Sequence, residues 1–324
     1  MIHSIRLAIL CALAIVLLAC GTPTGSAGPS ASGVTACTAT PPPAETPEGW
    51  DVSTQRPTVY PTIINPPASI ACGSTRLMFS FLDAQNKPIA APDRSAKVRF
   101  FDLGADVSKP VAEGDATFIW AQEPRAGVYV LDVDFPTSGA YGAEFTTAAG
   151  GATSEVIRAT FDVQPSSTVT SVGDKAPAST TPTLEDVGGD VTKLSTDTDP
   201  VEAFYQTSIA DAIAAKEPFV VAFATPKFCV SQQCGPTLDR LKPIAARHPD
   251  ITFINVEPYQ LELVDGQLQP VLTSNALTPT KVTEEWGLPT EPWVFVVDKD
   301  GIVTDSFMLI FSDEELEGAL AALG

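Results

Sequence analysis

Positive charge is scarce in this 324-residue chain: 19 Lys and Arg stand against 39 Asp and Glu, a formal net charge of −20. A chain this acidic is repelled by phosphate backbones and anionic headgroups, which argues against nucleic acid as a partner. Histidine is scarcer still, with two residues, His3 and His248. His248 stands in Arg247-His248-Pro249 and reads as a cap on a helix end, so a metal site that draws on several imidazoles is not expected. Long apolar runs are missing too. The run at residues 7–18 stops at twelve, short of the roughly 20 that a membrane-crossing helix needs. Cysteine is limited to six residues, few enough to be assigned one by one.

Twelve apolar residues behind a short start with one base, Arg6, are the length of a signal-peptide core. The stretch that ends them, Leu17-Leu18-Ala19-Cys20-Gly21, resembles the lipobox of bacterial lipoproteins. That resemblance implies removal of residues 1–19, which takes the formal charge from −20 to −21, and acylation of Cys20. Two or more acyl chains hold a protein on a membrane stably where one does not, so the expected location is the extracytoplasmic face of the cell membrane. Cys11 leaves with the signal and Cys20 is lipidated. Cys37, Cys72, Cys229 and Cys234 remain, an even number in an exported chain, which reads as two pairs. By proximity these are Cys37 with Cys72, a structural staple with no chemistry around it, and Cys229 with Cys234.

From residue 21 to about 56 the sequence is Thr, Pro, Ala, Ser and Gly with almost no apolar periodicity, Pro41-Pro42-Pro43 included. Such a composition cannot bury enough surface to fold, and residues 20–57 are expected to be a disordered tether. Short apolar or alternating runs follow at 75–82, 97–101, 116–120, 127–133, 140–146 and 155–163, broken by Asn86-Lys87-Pro88 and Ala149-Gly150-Gly151. They predict an all-β sandwich over 58–165. The run at 127–145 is similar to the penultimate hairpin of small immunoglobulin-like domains on bacterial envelope proteins; with no histidine and no catalytic constellation in this region, a spacer or protein-binding module is the expectation. Acids alternate with apolar residues there, as solvent-facing strand positions do. Residues 166–198 read as a linker and lead segment. Over 199–324 the pattern predicts helix 208–216, strand 219–224, helix 237–247, strand 251–256, short helix 282–286, a hairpin of 293–297 and 302–307, and helix 313–323. That alternation argues an α/β layer structure whose last two strands are antiparallel.

Strand 219–223, Cys229 opening a helix, strand 251–256, and Glu291-Pro292-Trp293-Val294-Phe295 ahead of a Gly-turned hairpin together resemble the thioredoxin fold. With the lead Val172-Gly173-Asp174-Lys175-Ala176-Pro177, similar to that of extracytoplasmic thioredoxin-like reductases and peroxiredoxins, the resemblance covers about residues 172–324. It implies a thiol–disulfide oxidoreductase. The first cysteine sits at a helix start, where unpaired N–H groups and the dipole favour the thiolate, and the second resolves the mixed disulfide. A cis-proline beside them leaves backbone groups free for a substrate strand. On this chain these are Cys229, Cys234 and Pro292, and the implied partners are extracytoplasmic proteins that present thiols or disulfides.

The spacing departs from that family's Cys-x-x-Cys: this chain reads Cys229-Val230-Ser231-Gln232-Gln233-Cys234. On an ideal helix, residues five apart are turned by about 140° with Cα atoms about 8.7 Å apart, beyond the roughly 4.4–6.8 Å that a disulfide spans. The pair therefore needs Cys229 in the loop ahead of the helix with Cys234 in its first turn, or a first turn that melts on oxidation. The second arrangement resembles peroxiredoxins of the bacterioferritin-comigratory kind. Their Pro-x-x-x-Thr-x-x-Cys approach is absent, since Ala222 and Pro226 stand where Pro and Thr belong. Thiol peroxidase is accordingly the alternative, along with a redox-inert binding lipoprotein that kept the fold. Cys234-Gly235-Pro236-Thr237 would overlay Cys-Gly-Pro-Cys and make Cys234 the nucleophile, but the distance from Phe223 favours Cys229. Lys227 would favour a thiolate there, and the net negative charge opposes it.

No cofactor and no metal are expected. Copper chaperones on the same fold add a histidine before the last strands, and two thiols without further Cys or His make half a zinc site. Residues 257–281 exceed what the fold needs at that point, and either cover the site or set partner choice.

Overall fold

A computed structural model describes residues 37–323; the expected signal peptide and Cys20 lie outside the described residues. Nine strands build the N-terminal module: β1 (Thr38–Ala39), β2 (Val59–Ile63), β3 (Gly73–Asp83), β4 (Arg94–Asp102), β5 (Ala112–Asp115), β6 (Thr117–Gln122), β7 (Ala126–Phe135), β8 (Thr137–Ala149) and β9 (Glu155–Val163). One sheet has the order β2-β3-β7-β6. In the other, β9, β8, β4 and β5 run side by side, and β1 adds in parallel at the start of β8. Lettered A to G from β2, with β5 as C′, these are sheets A-B-E-D and G-F-C-C′, the immunoglobulin-like order. Tyr141, fully buried near the start of β8, donates its hydroxyl to the Thr137 carbonyl at 3.0 Å, the corner tie that such sandwiches use.

The alternation along β3 separates two cores. Leu77, Phe79 and Phe81 point between the sheets and pack with Phe100, Tyr129 and Phe145. Met78 points the other way and joins Ile119, Val128 and Val130 in a core shared with the C-terminal module. The middle of this sheet, residues 77–81 of β3 and 127–130 of β7, is thus buried on both faces, which is why those stretches read as nearly continuous apolar runs.

The C-terminal module comprises α1 (Ile209–Ala215), β10 (Phe219–Phe223), α2 (Cys234–Arg247) and β11 (Thr252–Val256). Two hairpins follow, β12 (Leu261–Val264) with β13 (Gln267–Pro270) and β14 (Leu272–Thr273) with β15 (Ala276–Leu277). Then come α3 (Lys281–Glu285), β16 (Trp293–Val297), β17 (Val303–Met308) and α4 (Asp313–Ala321). The sheet order is β11-β10-β16-β17, with β11 parallel to β10 and the other pairs antiparallel. Every residue of β10 and β16 is buried. Val220, Ala222, Val294 and Val296 face Leu238, Leu241 and Ile244 of α2 and Leu316 and Leu320 of α4. Phe219, Val221, Phe223, Phe295 and Val297 face Ile209, Val282, Trp286 and the sandwich's Met78 and Val130. This is a mixed α/β layer with helices on one face of the sheet and α1, α3 and the sandwich on the other.

Polar groups lock the two modules. The Arg76 guanidinium on β3 forks onto Glu315 at 2.7 and 3.1 Å and donates to the Ile310 carbonyl at 3.0 Å, while lying over the Phe307 ring. Glu315 also closes the capping box of α4 with Ser312. Asp132 of β7 is exposed, as expected of an acid alternating along the strand, and sits at the edge of this seam, where partial desolvation raises its pKa and the Arg76 charge opposes the rise.

Two boundaries differ from expectation. The tether does not extend to residue 57: Cys37 is disulfide-bonded to Cys72 and Trp50 is 3% exposed. Its indole packs on Phe101 and under the Arg158 guanidinium, and a Cβ at Gly142 would come within 2.2 Å of it. A single tryptophan in a Pro-rich stretch has no period, and its partners are remote in sequence. Residues 166–198 likewise hold fixed positions. The Gly173 and Ala176 N–H groups donate to Val303 and Gly301, and Val169 and Leu184 are buried. Gly287, at φ +67°, passes so close to Thr168 that a Cβ would meet its carbonyl oxygen at 1.7 Å.

Candidate functional site

The site forms where β10 ends. The chain turns at residues 226–228, and Gln232 takes a left-handed conformation, φ 63°. The Gln233 N–H donates to the Ser231 hydroxyl at 3.2 Å. The result is a loop that folds Cys229 back onto the start of α2, whose first residue is Cys234. No side chain of Gln233 caps this helix. Instead the Cys229 sulfur accepts the Cys234 N–H at 3.2 Å and lies 3.3 Å from the Ser231 hydroxyl. A sulfur therefore satisfies one of the helix's unpaired N–H groups, where the dipole favours negative charge.

Cys229 and Cys234 are joined as a disulfide with Cα atoms 6.0 Å apart. Of the two arrangements that the spacing allows, the first is found, with Cys229 in the loop and Cys234 in the first turn; Cys229 itself does not open the helix, and the loop brings within reach a pair that a regular helix would hold apart. Cys229 is partly exposed and Cys234 is 0% exposed. Thr237, Leu238, Leu241 and Ile244 continue the buried face of α2 below Cys234, at the spacing that places them on one side of a helix.

The Glu291–Pro292 peptide bond is cis. The Pro292 carbonyl accepts the Leu309 N–H at 2.9 Å, so it is not among the backbone groups open to a partner. Glu291, which sequence reasoning passed over, is 1% exposed. Its Oε1 accepts the Val230 N–H at 2.7 Å and its Oε2 accepts the Tyr259 hydroxyl. A carboxylate oxygen of Glu291 and the sulfurs of Cys229 and Cys234 all lie within 4.8 Å of one another. Burial and the neighbouring Glu291 push the Tyr259 hydroxyl pKa up. The signal that could have found Glu291 is its place immediately before the proline, since a residue there must flank whatever the proline flanks.

Lys227 is turned to the insertion, with its ammonium donating to the Leu268 carbonyl at 3.2 Å and lying over the Phe228 ring. His248 is the C-cap residue of α2 and pairs with Glu317 at 2.7 Å. The insertion supplies walls on two sides. Pro258, Tyr259, Ala276 and Leu277 line a groove of about 520 Å³ with Val230, Leu288 and Glu291, beside the disulfide. A second cavity of about 460 Å³ is lined by Tyr205, Asn255, Glu257, Leu268 and Val282. The Glu257 carboxyl is buried although its stem is partly exposed. Its Oε1 accepts the Thr196 N–H at 2.6 Å and its Oε2 has no partner among the described residues. Burial raises its pKa to about 7. The Tyr205 hydroxyl donates to Ser195 and accepts from Asn255, and burial pushes its pKa up to about 12.

No family model matches the chain and no curated protein does. Among solved structures, a DUF4426 family protein from Pseudomonas aeruginosa PAO1 is similar to 33% of this chain over 90% of its own length, at 11% identity and a TM-score of 0.24. The Lin-41 filamin domain is similar to 33% of this chain over 93% of its own length, at 14% identity and a TM-score of 0.20. Likenesses this slight carry no argument. The immunoglobulin-like character of the N-terminal module rests on its strand order and Tyr141, and the character of the α/β module on its own geometry.

Proposed function

We propose that this protein is a thiol–disulfide oxidoreductase with a thioredoxin-like C-terminal module, held by acylated Cys20 on the extracytoplasmic face of the cell membrane, and that it exchanges disulfides with exported proteins. The observation that carries the proposal is the asymmetry of the pair: a partly exposed Cys229 sulfur takes an N–H at the helix start, and Cys234 is sealed behind it. The order of elements supports the same reading. A buried strand leads to the cysteine pair and its helix, a parallel strand follows, and the cis-proline precedes the antiparallel hairpin and closing helix.

In the reducing direction, the Cys229 thiolate attacks a substrate disulfide, forms a mixed disulfide and releases one substrate thiolate. Cys234 gives up its proton and attacks the Cys229 sulfur, which releases the second thiolate and leaves the intramolecular disulfide. Two electrons pass from the dithiol to the substrate, and the reverse sequence oxidises a substrate dithiol. The Cys234 N–H aimed at Cys229 stabilises the sulfur as an anion, the attacking species. The groove beside Val230 and Glu291 is the surface against which a substrate segment would lie, and the insertion at 257–281 forms much of its wall.

The test is trapping. Cys234→Ser is expected to accumulate partners disulfide-linked through Cys229, and Cys229→Ser to accumulate none. Trapping by Cys229→Ser alone reverses the assignment, and trapping by neither variant overturns the oxidoreductase reading. Loss of acyl labelling and membrane retention in Cys20→Ser is the expected result for the anchor.

A further inference from the structure

A sequence count of Cys and His finds two ligands near residue 230. The fold adds a third, because Glu291 reaches the same place from the turn before β16. Its carboxylate and the two sulfurs lie within 4.8 Å of one another, with Cys234 and Glu291 at 0% and 1% exposure. We infer that reduction of the Cys229–Cys234 disulfide creates a metal site of two thiolates and one carboxylate, suited to a borderline-soft divalent cation of the zinc type. The inference rests on the proposed function only in requiring that the disulfide be reducible.

Three features argue for a site rather than a chance cluster. First, the donor set matches zinc, which takes thiolate sulfur at about 2.3 Å and carboxylate oxygen at about 2.0–2.2 Å. Second, the ligands are oriented by outer partners. The Val230 N–H and the Tyr259 hydroxyl hold the two carboxylate oxygens, and the Cys234 N–H and Ser231 hydroxyl address the Cys229 sulfur. Such second-shell contacts fix ligand geometry and tune affinity. Third, Glu291 has no salt-bridge partner among the described residues, its two oxygens being held by an N–H and a hydroxyl. Two thiolates and a carboxylate buried together need protons or a cation to offset them. Cys229 is the partly exposed member and the groove opens beside it, which leaves a fourth coordination position for water or an exchanging ligand.

The chemistry balances simply. A phosphine and one water reduce the disulfide to two thiols and leave the phosphine oxide. The cation then displaces the two thiol protons and binds two sulfurs and the existing carboxylate. Metal uptake is therefore gated by redox state and releases protons.

The experiment uses the chain reduced with phosphine, desalted without oxygen, and titrated with Zn²⁺ against a chromophoric chelator. The reduced protein is expected to take up one Zn²⁺, with Cys37 and Cys72 present or both replaced by serine, and the oxidised protein none, with two sulfurs and an oxygen ligand in the X-ray absorption spectrum. Glu291→Gln should weaken binding about a hundredfold or more. Tyr259→Phe, which removes only an outer partner, should weaken it about 10–100-fold. Thermal melts of the oxidised variants check folding, and if Glu291→Gln does not fold, the Tyr259→Phe affinity and the wild-type absorption spectrum decide. No uptake by the reduced protein, or a spectrum with no carboxylate oxygen and unchanged affinity in both variants, overturns the inference. Trapping by Cys234→Ser without Zn²⁺ uptake refutes the metal site and leaves the oxidoreductase standing; uptake without trapping does the reverse.

Discussion

Glu257 offers the sharpest quantitative test of the α/β module. Its carboxyl is buried with one oxygen unpartnered, and its pKa rises from an ordinary 4.5 to about 7. The folded protein therefore holds this proton over a pH range in which the unfolded chain has already released it. The sign follows directly: the contribution is fully present below about pH 4.5 and is lost as pH rises toward 7, after which it stays lost. Each pK unit of difference corresponds to about 1.36 kcal/mol, so the full span is about 3 kcal/mol. Most of that, about 2–3 kcal/mol, falls between pH 5 and pH 8. Glu257→Gln keeps the shape and the acceptor for Thr196 N–H but cannot ionise. Urea unfolding of both proteins, with disulfides intact, should show the stability of the variant relative to the parent rising by about 2–3 kcal/mol from pH 5 to pH 8, then levelling off. The other carboxylates cancel in the difference. A difference that stays constant across this range refutes the buried neutral carboxyl.

Arg76→Ala should cost about 2–3 kcal/mol, because it strands Glu315 at 26% side-chain exposure without its partner. A double-mutant cycle with Glu315→Gln should return a coupling above about 0.5 kcal/mol by denaturant midpoint; additivity would place the module seam elsewhere. Trp50→Ala should destabilise by about 3–5 kcal/mol, and an effect near zero in thermal melts would return residue 50 to the tether. Joint replacement of Cys37 and Cys72 by serine opens a link across 35 residues and should cost about 3–4 kcal/mol on chain-entropy grounds, read from urea midpoints. Tyr141→Phe removes one buried tie to Thr137 and should cost about 1 kcal/mol; no change in unfolding midpoint would deny the corner its role.

Much of the local structure was legible because its cause is local. Strands β10 and β16 read as five-residue apolar runs, since both of their faces are buried, and Leu238 and Leu241 showed the buried side of α2 by their spacing alone. The start of α2 was legible only as a choice between two arrangements. Whether Cys229 lies in the helix depends on the left-handed Gln232, the Ser231 turn and the absence of a side-chain cap at Gln233, none of which has a strong residue signature. The seam between modules was also hidden, because Met78 and Val130 look the same in a sequence whether they face solvent or a second domain.

The linear sequence by itself determined the composition classes, the even four cysteines downstream of residue 20, the alternation that makes a sandwich and then an α/β layer, and the pairing of neighbouring thiols. Those follow from period, charge and proximity along the chain. Only the tertiary structure decided that Trp50 belongs to a core, that Arg76 ties two modules into one, and that Glu291 stands against the sulfurs of Cys229 and Cys234. Each of these joins residues tens to hundreds of positions apart, and a contact of that kind exists only once the sheets have fixed where their ends meet.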